Sequence, residues 1–247
     1  MTKTIAISGK GGSGKTTISA MIVKYLLSCG RKSILAVDAD PNACLGITLG
    51  VEHVNTIADI RDTSRKQKAT TDGMDRTRSF EYGIQQAVSE AKGFDLLTMG
   101  RPEGPDCYCA ANNILRKFLS KLSSSYEYVI MDNEAGMEHL SRRTTDNVDL
   151  LCIVADPNPV GMLTVRRIAE LTRSLPITVK EMGVIWNRSD NGAEVEGIRN
   201  LGSIPYDKAI YDASMKGNTV FDVAPDCPVF LTIKKIFADT LNVNTVK

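Results

Sequence analysis

A short apolar run that passes directly into a glycine loop, and from there into helical spacing, constrains this 247-residue chain more than any other feature. Residues 4–8 read as a buried strand, Gly9-Lys10-Gly11-Gly12-Ser13-Gly14-Lys15-Thr16 satisfies G-x-x-x-x-G-K-[ST], and residues 16–28 have helical periodicity. Glycines allow the backbone to curl so that successive N–H groups point at phosphate oxygens, and the start of the helix adds the positive end of its dipole. Lys15 then reaches the β and γ phosphates and the Thr16 hydroxyl ligates Mg2+. The expectation is that Gly9 to Thr17 hold the phosphates of ATP or ADP.

Further apolar runs recur at residues 33–38, 94–99, 128–132, 150–155 and 182–187, with helical spacing at 112–122, 160–175 and 229–241. Alternation of strand and helix implies right-handed crossovers and a mainly parallel, twisted sheet with helices on both faces. Residues 52–92 interrupt the rhythm; they are polar, with Arg61, Arg65, Lys66, Lys68, Arg76 and Arg78 among acids, and read as a surface excursion. No repeat and no Pro/Gly/Ser linker divides the chain, so one α/β P-loop NTPase domain over residues 1–247 is expected.

Charge narrows the partners. Thirty basic side chains against 29 acidic ones leave no net field for nucleic acid or anionic lipid, so neither nucleic acid nor membrane is expected as a partner. The N-terminal apolar run is too short for a secretory signal, and no apolar run approaches the roughly 20 residues that span a bilayer. A cytoplasmic protein is expected, in which the six cysteines stay reduced and a close pair points to metal or redox chemistry.

Asp38-Ala39-Asp40-Pro41 places two carboxylates two residues apart, facing alike, at the sheet edge where ligands of open α/β folds bind. Such a pair suits Mg2+ and an attacking water. The strand at 128–132 ends in Asp132, with Gly136 close behind, and the strand at 182–187 ends in Asn187-Arg188. Cys107-Tyr108-Cys109 follows a Gly/Pro-rich turn and supplies two thiolates, half of a tetrahedral set, so that a two-fold dimer would supply four around Zn2+ or Ni2+. Cys44, four residues after Asp40, could couple metal to nucleotide state but reads rather as a small packed side chain, and Cys29, Cys152 and Cys227 read as structural. His53 and His139 read as hydrogen-bonded scaffold.

Lys10 has no part in an ordinary phosphate loop. The stretch Lys10-Gly-Gly-Ser-Gly-Lys15-Thr-Thr resembles the deviant Walker A sequence of the family that includes the nitrogenase iron protein, MinD, ParA and arsenical-pump ATPases. The resemblance implies that Lys10 crosses a dimer interface to the partner's nucleotide and that Asp40 positions the attacking water while Asp38 helps hold the magnesium shell. It further implies that Asp132 binds Mg2+ through water, that Gly136 senses the γ phosphate, that Asn187 binds adenine, and that Pro205 and Tyr206 close over the base. Lys10, Lys15 and Asp40 are thus the expected catalytic residues. The Cys-x-Cys segment, with D-A-D-P-N-A-C-L-G at 38–46 and A-G-M-E-H-L at 135–140, looks like the CooC type of ATPase. That likeness implies a homodimer holding nickel or zinc between Cys107 and Cys109 of each subunit, and a client nickel enzyme, carbon monoxide dehydrogenase or acetyl-CoA synthase. A positioning ATPase of the MinD or ParA kind and an iron-sulfur ATP-dependent reductase are the alternatives.

Overall fold

The computed structural model describes residues 2–52, 55–60, 83, 86–100, 122–134 and 147–241. Among these, eight strands form one sheet in the order β3-β4-β2-β5-β1-β6-β7-β8. They are β1 (Lys3–Gly9), β2 (Ile34–Ala39), β3 (Val88–Glu90), β4 (Asp95–Thr98), β5 (Tyr128–Asn133), β6 (Asn147–Ala155), β7 (Thr178–Asn187) and β8 (Arg199–Ile204). Every pairing is parallel except that of β3 with β4. All the expected strands are present; the polar β8 and the three-residue β3, which lies inside the 52–92 stretch, are additional. Ile57, Ala58 and Ala87 at the described ends of that stretch are buried.

Among the described residues, the α-helices are α1 (Lys15–Ser28), α2 (Cys44–Thr48), α3 (Pro159–Ser174), α4 (Lys208–Met215) and α5 (Pro228–Leu241). Helix α1 ends in a Schellman turn: Gly30, at φ +77°, donates its N–H to Leu27, and Arg31 donates to Leu26. Helix α3 starts at Pro159, whose missing N–H is no loss in the first turn, and its Asn158 cap accepts from the Gly161 N–H at 2.8 Å. Helix α4 has no fully buried residue; only the half-buried Ile210 packs against the core.

Alternate residues of the central strands feed two cores, one on each face. On one face Ile5, Ile7, Ile130 and Val154 pack with Met21, Ile22 and Leu26 of α1 and with Phe230, Ile233 and Phe237 of α5. On the other, Ala6, Val37, Met131 and Ile153 pack with Val165 and Ile168 of α3 and with Trp186. Burial of side chains this large contributes roughly 1.5–3 kcal/mol each. Because β1, β2, β5, β6 and β7 run the same way, their last residues all emerge along one edge of the sheet, and the glycine loop sits there at the central strand.

Candidate nucleotide-binding site

The loop follows β1 without a break. Gly9, at φ +153°, cannot carry a Cβ, which would lie 2.2 Å from the Val154 carbonyl oxygen of β6. Gly14, at φ +95°, is the N-cap of α1, and its missing Cβ leaves room for the Asn187 amide, which a Cβ would approach to 2.3 Å. Lys15 is buried, and its ammonium folds back on the Lys10 carbonyl at 3.3 Å. The Lys10 side chain is instead exposed at the mouth of the loop. A cleft of about 690 Å³ lies in front, lined among others by Gly11, Gly12, Gly14, Lys15, Thr16, Thr17, Asp40, Asn42 and Arg188. That volume accepts a nucleotide.

Strand register brings the acids together. Asp38 of β2 is the Cα partner of Asp132 on β5, so both side chains project from the same face of the sheet, toward α1. Both are buried, at 0% and 1% exposure. Asp38 accepts from the Leu45 N–H at 2.8 Å and from the Asp40 N–H at 3.2 Å, and Asp132 accepts from the Ser19 hydroxyl at 3.1 Å. Burial pushes the Asp38 carboxyl up to about 7, an effect that the Leu45 N–H opposes and the neighbouring Asp132 charge adds to. Burial likewise raises Asp132 to about 6, against the pull of the Thr16 and Ser19 hydroxyls and the Lys15 charge. One Asp132 oxygen, Oδ2, is buried without a hydrogen-bond partner. Two crowded, desolvated carboxylates beside Thr16, one with an orphaned oxygen, form a set that fits a hard divalent cation. Asp40 lies at the rim, where its Oδ1 accepts from the backbone N–H and the side-chain amide of Asn42.

The other expected residues divide. Asn187, at the tip of β7, donates its amide to the Ser13 carbonyl at 2.8 Å and so belongs to the loop. Pro205 and the exposed Tyr206 follow β8, whose Ile204 is paired with Asn187, and they stand outside the phosphate cleft. Cys44 is a correction: it is exposed at the start of α2 rather than packed, and partial desolvation of its sulfur, with the charges of Asp38, Asp40 and Asp132, raises its thiol pKa. Cys29 and Cys152 are buried, as expected. Cys107, Cys109, Gly136, His53, His139 and most of the helix expected at 112–122 lie outside the described residues. Sequence reasoning missed the part played by Arg188, which lines the cleft; its signal was a basic residue directly after a strand-terminal asparagine.

A glycine loop between a central parallel strand and a helix, with paired acids on the neighbouring strand tips, defines a P-loop nucleotide-binding protein. Residues 4–220 match the CobQ/CobB/MinD/ParA nucleotide binding domain family. The chain is 39% identical to an uncharacterized ATP-binding protein of Methanocaldococcus jannaschii over 96% of this chain and 98% of that one. It is also 34% identical to the carbon monoxide dehydrogenase accessory protein CooC of Rhodospirillum rubrum, over 90% and 91% of the two chains. The fold is that of MinD from Pyrococcus horikoshii, solved with Mg-ADP (TM-score 0.68, 23% identity, 97% and 96% covered). It is also that of a ParA family ATPase from Chlorobium tepidum (TM-score 0.71, 22% identity, 98% and 99% covered). The chain therefore belongs to the CobQ/CobB/MinD/ParA family and is a P-loop ATPase of the MinD/ParA kind. No described helix is long and apolar enough to cross a membrane.

Proposed function

We propose that this ATPase is a dimeric metallochaperone that carries nickel, or zinc, on Cys107 and Cys109 of each subunit and assists metal insertion into carbon monoxide dehydrogenase or acetyl-CoA synthase. The observation that carries the reading is a Cys-x-Cys pair in a chain 34% identical, nearly end to end, to a carbon monoxide dehydrogenase accessory protein. The metal is cargo. Four thiolates from two chains make a complete soft site, which ties loading to dimerisation.

In the hydrolytic cycle the loop amides and Lys15 hold the phosphates of ATP. Thr16, Asp38 and Asp132 would hold Mg2+, which supplies charge neutralisation on the β and γ phosphates when bound. Asp40, at the rim with a hydrogen-bonded carboxylate, orients the water for in-line attack on the γ phosphate. Lys10, whose side chain is exposed at the loop mouth, reaches the partner's nucleotide, so that ATP binding closes the dimer and hydrolysis opens it. Asn187, Pro205 and Tyr206 would contact the adenine base.

The test is equilibrium titration of Ni2+ and Zn2+, with and without ATP, on the anaerobic protein and on a Cys107→Ala, Cys109→Ala variant. The wild type is expected to take up one metal per dimer and the variant none at comparable affinity. Equal binding by the two proteins returns the chain to the positioning ATPases, and a brown anaerobic preparation to the iron-sulfur reductases.

A further inference from the structure

Two consecutive side chains at the tip of β7 grip two consecutive carbonyls of the phosphate loop. Asn187 donates its amide to the Ser13 oxygen at 2.8 Å, and Arg188 donates through Nη2 to the Gly12 oxygen at 2.7 Å. Neighbouring residues of a strand point to opposite faces, so an extended chain could not deliver both to one loop. The backbone solves this with a left-handed turn: Arg188 sits at φ +58°, a conformation uncommon for a residue with a Cβ. Backbone strain of this kind persists where the surroundings over-determine it, and it concentrates at functional sites. Asp156, which follows the β6 residue paired with Trp186, holds the other arm of the guanidinium at 3.7 Å. The absence of a side chain at Gly14 lets the Asn187 amide in.

The grip has a geometric consequence. Within a planar trans peptide the C=O and the following N–H point in opposite directions. Pulling the Gly12 and Ser13 carbonyls toward β7 therefore turns the Ser13 and Gly14 N–H groups away from it. The Ser13 N–H closes the loop onto the Lys10 carbonyl at 3.2 Å, and Gly14 itself lines the cleft beside Lys15 and Thr16.

We propose that Arg188 is a positioning residue for nucleotide binding: with Asn187 it sets the peptide planes of the phosphate loop before any phosphate arrives. The guanidinium acts on the loop and not on the phosphates. Its removal then weakens every ligand that uses the loop by the same factor, whether or not a γ phosphate or a base is present.

The experiment compares wild type with Arg188→Gly, which keeps the left-handed turn and deletes only the side chain, and with Asp156→Asn, which loosens the guanidinium without touching the loop. Calorimetric affinities are measured for ATP, ADP and inorganic pyrophosphate across a salt series. Arg188→Gly is expected to weaken all three by about tenfold, the lower end for a hydrogen bond from a charged donor at a half-exposed site. The salt slope and the urea midpoint stay at their wild-type values, and the Gly14 amide resonance moves in the nucleotide-free protein. Asp156→Asn gives a smaller loss in the same order. A loss confined to ATP, or a flatter salt slope, makes Arg188 a direct phosphate ligand and overturns the proposal. Unchanged affinities for all three ligands overturn it as well.

Discussion

Replacing Asp38 with asparagine should make the nucleotide-free protein more stable while disabling it. Asp38 has no exposed surface, and its carboxyl pKa rises from 3.8 unfolded to about 7 in the fold, chiefly through desolvation. A carboxyl whose folded value lies above its unfolded one contributes stability that is fully present below pH 4 and is lost as pH rises through 7. At about 1.4 kcal/mol per tenfold in proton affinity, the ionised group withholds roughly 4 kcal/mol from folding at pH 8 and somewhat under 2 kcal/mol at pH 5. Asparagine is neutral throughout. Its oxygen still accepts from the Leu45 N–H, but its NH2 faces the Asp40 N–H, a mismatch that costs about 1 kcal/mol. The stability advantage of D38N over wild type should therefore widen by roughly 2–3 kcal/mol between pH 5 and pH 8. Trp186, the single tryptophan and fully buried, reports urea unfolding, measured in EDTA without nucleotide. A D38N advantage that does not change between the two pH values would refute the reasoning.

Gly14→Ala puts a methyl against the Asn187 amide at a left-handed position, so ATP affinity should fall by two orders of magnitude or more in calorimetry with little change in the far-UV spectrum. Stripping Mg2+ with EDTA should lower ATP affinity, and in its presence affinity should weaken as pH falls through 7 and 6, because protons compete for Asp38 and Asp132. Lys10→Ala should leave the ATP-saturated protein monomeric by light scattering, with nucleotide affinity of the monomer retained. Phe237→Ala empties a fully buried site between α5 and the sheet and should cost about 3–5 kcal/mol in urea unfolding.

The central strands were legible because burial on both faces demands unbroken apolar runs, such as Ile5-Ala6-Ile7 and Leu150 to Ala155. Strand β8 reads Arg-Asn-Leu-Gly-Ser-Ile because it is an edge with one side near solvent, and β3 is too short to show a period. Helix α4, eight residues long, buries no residue fully and packs only a half-buried Ile210 against the core, too short a contact to stand out in the sequence. The loop and its acids were legible because phosphate and metal chemistry narrows the residue types allowed. Arg188 was legible only as a basic residue after Asn187, because its contribution depends on one backbone angle that redirects a side chain. Cys44 misled because cysteine is usually interior, whereas here it opens a five-residue helix at the rim.

The cleft is lined by residues of the glycine loop, by Asp40, Pro41, Asn42 and Glu134, and by Arg188, which follows them far along the polypeptide. A chain still being synthesised, with β1 through β6 made but β7 inside the ribosome, has its glycine turn and acids and lacks the two side chains that shape the turn. Tight ligand capture thus arrives late in synthesis, and with it the added stability that bound ligand confers.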